Sequence, residues 1–389
     1  MLCSLKGLAQ DDDSKTNYVE QLKQIALAEQ ALGEEDYDKV IFYLEDYIGK
    51  EQNQRIYNLV LESYLAQDKY DEAEDLVLLY QRKFGANNAI YPADLLYIYR
   101  VQEKASKAED LVEDILKKVK KNPQLAYTFA NVFQQKGYPE IALSIYETAE
   151  AEQPRMNFDY QKALVYGELG DIKKMYGMYV DMVARNPGYQ RTVEDLLARA
   201  LDEDTDERNK EYLKEQIIRK IQEDGSQNLN QLLAFVYIKE ENYRAAFLQL
   251  KALEKRKETN KAEIFNLGNV AAKNKDYDQA IRIFDYMIEA GPENPFYENA
   301  LVMRLKAKTL ALDAEVTSGK DAYVNLKKEY LLVLNQIRGN RLVAGLGMDL
   351  VDIEAFKLDE PDTAIVRLRQ WIKSAYLGQE AIAELKIKL

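Results

Sequence analysis

"AEIFNLGNVAAKNKDYDQAIRIFDYMIEAGP", residues 262–292, carries two apolar stripes at helical spacing with a polar break between them. Ile264, Leu267 and Ala271 recur three and four residues apart, which puts them on one face of a first helix, A. Tyr277, Ala280, Phe284 and Met287 mark one face of a second helix, B. "KNKD" between them reads as a helix–helix turn. Gly268 and Ala280 are small residues on these stripes, and they are predicted to form the close crossing of A and B.

The turn and the start of helix B are written four times. "NKDYDQA" at 274–280 has relatives in "EEDYDKV" (34–40), "QDKYDEA" (67–73) and "EENYRAA" (240–246). Tyr37 to Tyr70 spans 33 residues, Tyr243 to Tyr277 spans 34, and Pro154 to Pro187 spans 33. A fixed period near 34 in a chain rich in helix formers means stacked helix pairs, none of which buries its apolar face alone. Glycine (17) and proline (8) are scarce, which also favours helix throughout. The tyrosines of the repeated stretch are core positions at helical spacing, not reactive groups.

With Leu267-Gly268, Tyr277, Ala280, Phe284 and Pro292 at family spacing, residues 262–292 resemble the tetratricopeptide repeat (TPR), with Ile264 in the place of its Trp. They depart from it at Ala271 and Met287. Weaker copies carry Ala28, Tyr37 and Val40; Tyr64, Tyr70 and Ala73; Phe129, Ala142 and Tyr146; Tyr237, Tyr243 and Ala246; and Ala355, Ala364 and Leu368. The resemblance covers nearly all of residues 17–389. It implies an all-α, right-handed superhelical solenoid of antiparallel helix pairs. The expected organisation is a residual signal-peptide end and acidic tail (1–16), N-terminal TPR-like repeats (17–187), a divergent helical pair (188–225) and C-terminal TPR-like repeats (226–389) ending in an unpaired helix.

Composition excludes several classes of function. A net charge of −13 repels nucleic-acid phosphates and anionic lipid. There is no histidine, which removes the commonest general base and zinc ligand. Cys3 is the only cysteine, so neither an intramolecular disulfide nor a thiolate cluster can form. No apolar run reaches the roughly 20 residues of a membrane helix. "DEDTDER" (202–208) spaces Asp202, Asp204 and Asp206 as a calcium loop does, but Glu207 and Leu213 stand where that loop needs Gly and Glu. It reads as a solvated loop, as does "DDD" at 11–13. "GLG" (345–347) lacks the Gly-Lys-Ser/Thr of a phosphate loop, and Gly345 is expected at a helix crossing. No metal, cofactor or catalytic constellation is expected, and the chain reads as a non-enzyme.

Both ends carry signals of their own. Gly7 and Ala9 fit the −3 and −1 positions of a signal-peptidase site before Gln10, behind an apolar stretch too short to work alone. This favours an exported, envelope-associated bacterial protein, with a cytoplasmic one as the alternative. "GQEAIAELKIKL" (378–389) reads as an amphipathic helix without a partner, from which a longer native chain is expected.

The resemblance implies a protein-interaction scaffold whose groove, lined by A helices, holds a peptide or protein. Gln231, Phe235 and Ile238 of the seventh repeat and Phe265, Asn266, Asn269 and Lys273 of the eighth are the expected partner-binding residues. The alternative is an accessory carbohydrate-binding or nutrient-uptake lipoprotein. Such proteins use tryptophan-rich contact loops, and Trp371 is the only tryptophan.

Overall fold

The computed structural model describes residues 4–85, 87–224, 227–256, 261–315, 319–338 and 340–372. Those residues form twenty α-helices and no strand. The chain divides into two units, residues 1–178 and 179–389. The first holds α1 (Ser4–Gly33), α2 (Tyr37–Leu44), α3 (Gln54–Ala66), α4 (Tyr70–Phe84), α5 (Ile90–Val101), α6 (Ala105–Lys121), α7 (Ala126–Gln135), α8 (Pro139–Glu152) and α9 (Asp159–Glu168). The division falls within α10 (Ile172–Arg185). The second unit continues with α11 (Gln190–Glu203), α12 (Glu207–Asp224), α13 (Gln227–Lys239), α14 (Tyr243–Lys255), α15 (Lys261–Lys273) and α16 (Tyr277–Glu289). It closes with α17 (Tyr297–Ala314), α18 (Lys320–Leu334), α19 (Asn340–Asp352), a π-turn over Ile353–Lys357, and α20 (Pro361–Ile372).

Each repeated stretch makes one backbone device. Glu35, Asp68, Glu103, Glu241, Lys275 and Asp359 hold positive φ between 53° and 67°, and Gly137 and Gly170 hold 80° and 72°. Every one of them lies two residues before a B helix. In all but the Asp359 turn, the next residue donates its backbone N–H to the carbonyl five residues earlier. Asp36 reaches Ala31, Lys69 reaches Tyr64, Asn242 reaches Tyr237 and Asp276 reaches Ala271, all at 2.8–2.9 Å. This is the left-handed stop of a helix, which satisfies carbonyls that the helix end leaves bare. The residue that completes it then caps helix B: Asp36, Asp171, Asn242 and Asp276 each accept a bond from the backbone N–H three residues on. One stop and one start therefore occupy two adjacent residues.

Packing follows chain order. In the first unit α1 to α6 pack each on the next, with α1 on α3, α5 on α7 and α6 on α8. In the second, α12 to α20 do the same, with α15 on α17 and α17 on α19. Such nearest-neighbour packing is that of helical repeats. Tyrosine supplies much of the core. Tyr57, Tyr80 and Tyr91 are fully buried, with centroids 4.9–6.1 Å apart. The Tyr57 and Tyr80 hydroxyls reach polar partners at the edge of the stack, Tyr57 donating to Asp94 and Tyr80 accepting from Gly49 N–H at 3.2 Å, while the buried Tyr91 hydroxyl has no hydrogen-bond partner among the described residues. In the α15–α16 pair Ile264, Leu267, Ala271, Ala280, Phe284 and Met287 are all buried, whereas Tyr277, expected on the same stripe, is only half-buried, as are Tyr37 and Tyr70; of the four repeated tyrosines Tyr243 is the buried one. Gly268 does mark a close approach, but its opposite number is an aromatic ring. A Cβ there would stand 2.7 Å from Cε1 of Phe284.

Several expectations shift. Residues 4–16, read as a tail, are helical backbone continuous with α1. In the 202–208 loop the carboxylates serve local turns: Asp204 accepts from Asp206 N–H and Asp206 from Arg208, both at 3.0 Å. Gly345 has open space around it, whereas a Cβ on Gly347 would lie 2.1 Å from Cζ3 of Trp371. The close crossing of α19 and α20 is thus at Gly347. Residues 378–389, read as an amphipathic helix without a partner, lie outside the described residues.

The last repeat contains one extra residue. Glu360 N–H reaches back to Glu354 rather than to the residue five earlier, and the π-turn absorbs the insertion. The π-turn buries Glu354 completely. Arg367 of α20 donates to both of its oxygens at 2.7 and 2.8 Å, and Lys327 of α18 lies 3.0 Å away. Burial pushes the Glu354 carboxyl up, but Arg367 and Lys327 outweigh it and hold it below its usual value of 4.5.

Three measurements check these assignments. Lys275→Gly should raise stability by about 0.5–1 kcal/mol and Gly137→Ala should lower it by about 1 kcal/mol, because only glycine is at ease at positive φ. The reverse order of urea midpoints would sink the turn assignment. Gly347→Ala should cost about 1–3 kcal/mol by overpacking and shift Trp371 emission, while Gly345→Ala should gain about 0.5–1 kcal/mol. Glu354→Gln should cost roughly 2–4 kcal/mol by leaving two cations short of a partner. A depressed carboxyl stabilises the fold above its unfolded pKa, and that contribution disappears as pH falls through the lowered folded value. Stability measured from pH 7 to 2 should therefore fall less steeply in Glu354→Gln than in the parent; parallel curves would contradict this.

Candidate functional site

In the first unit three successive A helices leave a groove of about 590 Å³. Asn58, Leu61, Glu62 and Leu65 line it from α3, Asp94 and Tyr97 from α5, and Lys136 and Tyr138 from the turn after α7. The spacing 58, 61, 62, 65 is one helical stripe, opposite Ile56 and Val60, which are buried in the core. Tyr97 comes three residues after Asp94 and so shares its face.

Asp94 anchors the groove floor. Its carboxylate is 7% exposed and both oxygens are occupied. Tyr57 donates its hydroxyl to Oδ2 at 2.7 Å, and Lys136 donates from Nζ to Oδ1 at 2.8 Å. Burial, followed by the neighbouring Asp94 charge, pushes the Tyr57 phenol far up, so it stays a donor. Burial likewise raises Tyr138, whose ring stacks under the Arg100 guanidinium at 4.6 Å. A carboxylate held on both sides is a structural anchor rather than a base. What remains at the surface is an aromatic edge, Tyr97, with hydrogen-bonding groups on Asn58 and Glu62. This combination suits side chains of a polypeptide.

The residues named from sequence lie in the second unit. Gln231, Phe235 and Ile238 are half-buried on α13. Asn266 and Lys273 are exposed on α15. Phe265 is engaged internally: its ring stacks on Phe296 at 5.2 Å and tilts against Phe284 at 5.7 Å. Asn269 is half-buried, and its Oδ1 accepts no hydrogen bond. Ile238 and Phe265 both pack on the core cluster that runs from α13 to α17. Sequence reasoning missed the first-unit groove. Its signal is present, since 58, 61, 62 and 65 repeat the A-helix register, but groove depth depends on packing between helices, which spacing within one helix does not encode.

The PPR repeat family matches residues 267–292. Those residues are the Leu267-to-Pro292 part of the pair formed by α15 and α16. That match covers one helix pair; as a fold, the described residues form a TPR-like array of antiparallel helix pairs. A search of curated proteins gives no match. Among solved structures, Naa15/Naa10 bound to HypK-THB is similar at 13% identity and TM-score 0.30, over 91% of this chain and 58% of that one. The chain thus spans less than two thirds of that structure's length. Yeast Tom70 is similar at 12% identity and TM-score 0.28, over 96% of each chain. A tetratricopeptide repeat protein from Parabacteroides merdae is similar at 17% identity and TM-score 0.24, over 63% of this chain and 96% of that one. Likenesses this distant say nothing about partner or activity.

Tyr57→Phe should cost about 1.5–3 kcal/mol, the worth of a hydrogen bond to a buried charge. Urea unfolding checks this, and a change within error would show that Asp94 does not need the phenol.

Proposed function

We propose that the chain is a non-enzymatic scaffold that holds a segment of a protein partner on its helix-A faces. The groove above Asp94 carries this reading, because it joins an exposed aromatic edge to hydrogen-bonding groups on a rigid floor. A second contact face is assigned to Gln231, Phe235 and Ile238 on α13 and to Phe265, Asn266, Asn269 and Lys273 on α15.

The setting proposed is the cell envelope, in assembly or secretion, on the strength of Gly7 and Ala9. Among the described residues no helix is long and apolar enough to cross a membrane. A net charge of −13 opposes the RNA reading that PPR-type repeats would otherwise invite. The carbohydrate alternative gains no support from Trp371, which is seated on Gly347 rather than offered to solvent.

A photo-reactive phenylalanine analogue at Tyr97 should cross-link one discrete protein in cells. The same group at Leu78, exposed on the B helix α4, should not. Equal labelling from both positions would overturn the assignment of the helix-A face.

A further inference from the structure

The cations around the first-unit groove are already committed. Arg55, three residues before Asn58 on α3, donates to both oxygens of Glu29 at 2.5 and 2.6 Å. Lys136 is held by Asp94 at 2.8 Å. Arg100, on α5, lies 4.6 Å over the Tyr138 ring. The carboxylates Glu29 and Asp94 are spent in the same contacts.

Glu62 differs. It lines the groove from α3, its side chain is exposed, and among the described residues it makes no hydrogen bond or ion pair. Leu65 and Ala66 follow it by three and four residues and extend the same face as an apolar strip, half-buried and exposed respectively. Tyr97 lines the groove from α5 and is 46% exposed, and its hydroxyl makes no hydrogen bond among the described residues. A free carboxylate, a free aromatic ring and an apolar strip thus open onto one hollow.

We infer that this groove takes an arginine of the partner segment, with its guanidinium on the Glu62 carboxylate and against the Tyr97 ring, and its stem along Leu65 and Ala66. The inference rests on the reading of the groove as the partner-binding face. Charge selects the class. An acidic side chain would meet a free carboxylate and no lining cation that is not already held, and an apolar one would strip water from Glu62 without pairing it. An ion pair in open water is worth little, so the ring and the strip must contribute, and a long basic side chain reaches all three. Arginine suits the site better than lysine, because a flat guanidinium bonds a carboxylate through two N–H groups and stacks on a ring at the same time. The chain makes that stack itself beside the groove, where Arg100 covers Tyr138.

Phage-displayed random dodecapeptides, panned on the full chain and counter-selected on Tyr97→Ala, test the assignment. The enriched peptides should share an arginine at one position. In the tightest of them, replacing that arginine by citrulline, equal in shape but uncharged, should weaken binding to the parent about tenfold in fluorescence polarisation. The same replacement should change binding to Glu62→Gln by less than about twofold, because the carboxylate it pairs with is already gone. Glu62 and Tyr97 are exposed, so both variants should melt with the parent. Peptides that share no arginine, or a citrulline loss as large in Glu62→Gln as in the parent, would overturn the arginine assignment and leave the groove standing. Failure of any peptide to prefer the parent over Tyr97→Ala would overturn the groove itself, and the arginine with it.

Discussion

A chain reversal that uses one left-handed residue sets the terms for the rest of this molecule. Eight times a helix stops on a residue at positive φ, and eight times the next helix starts two residues later. The left-handed conformation costs an L-residue roughly 1 kcal/mol or more, yet six of the eight positions are not glycine. What offsets the cost is local. The N–H that follows satisfies a bare carbonyl of helix A, and in four turns a side chain of that same residue caps helix B. A two-residue joint that serves both helices leaves little freedom in how they cross. That is why the chain writes nearly the same seven letters at Asp36, Lys69, Asn242 and Asp276: they encode a joint, whose tyrosine is half-buried at Tyr37, Tyr70 and Tyr277 and enters the core at Tyr243.

Once the joint fixes each pair, pairs can bury their stripes only against the next pair, and one face of every A helix is left over. In the first unit that face becomes a groove because Asp94 draws the elements around it together. A buried carboxylate is tolerable only when its oxygens are occupied. Tyr57 reaches it from α3 and Lys136 from beyond α7, so the charge ties three successive A helices to one point. The many tyrosines fit the same logic. A tyrosine fills core volume like phenylalanine and still carries a polar tip to the boundary, where groups such as Asp94 and the Gly49 N–H need partners.

The period, the A and B helices and the buried stripe from Ile264 to Met287 were legible in the sequence because each rests on spacing within one pair of helices. The joint was legible as a motif but not as a conformation: nothing in the letters of Glu35, Asp68 or Lys275 announces positive φ, and only Gly137 and Gly170 hint at it. Contacts between elements were less legible still. Gly345 and Gly347 stand two residues apart in the same helix, and which of them meets Trp371 depends on the rotation of α19 against α20. The groove had the same problem. Asn58 and Asn266 look alike in sequence, and only the packing of neighbouring helices decides which of them borders a hollow.

The final repeat shows how a departure from the rule changes which side chains are buried and which helices are tied together. One inserted residue cannot pass through the joint without misplacing helix B, so it is taken up one turn earlier as a π-turn. The widened turn rotates the side chains on either side of it. Glu354 moves inward, where Arg367 and Lys327 must neutralise it, and Phe356 is left 78% exposed. Lys357 is carried across to Asp313 on α17, so the residues on both sides of the π-turn are tied by charge to neighbouring helices.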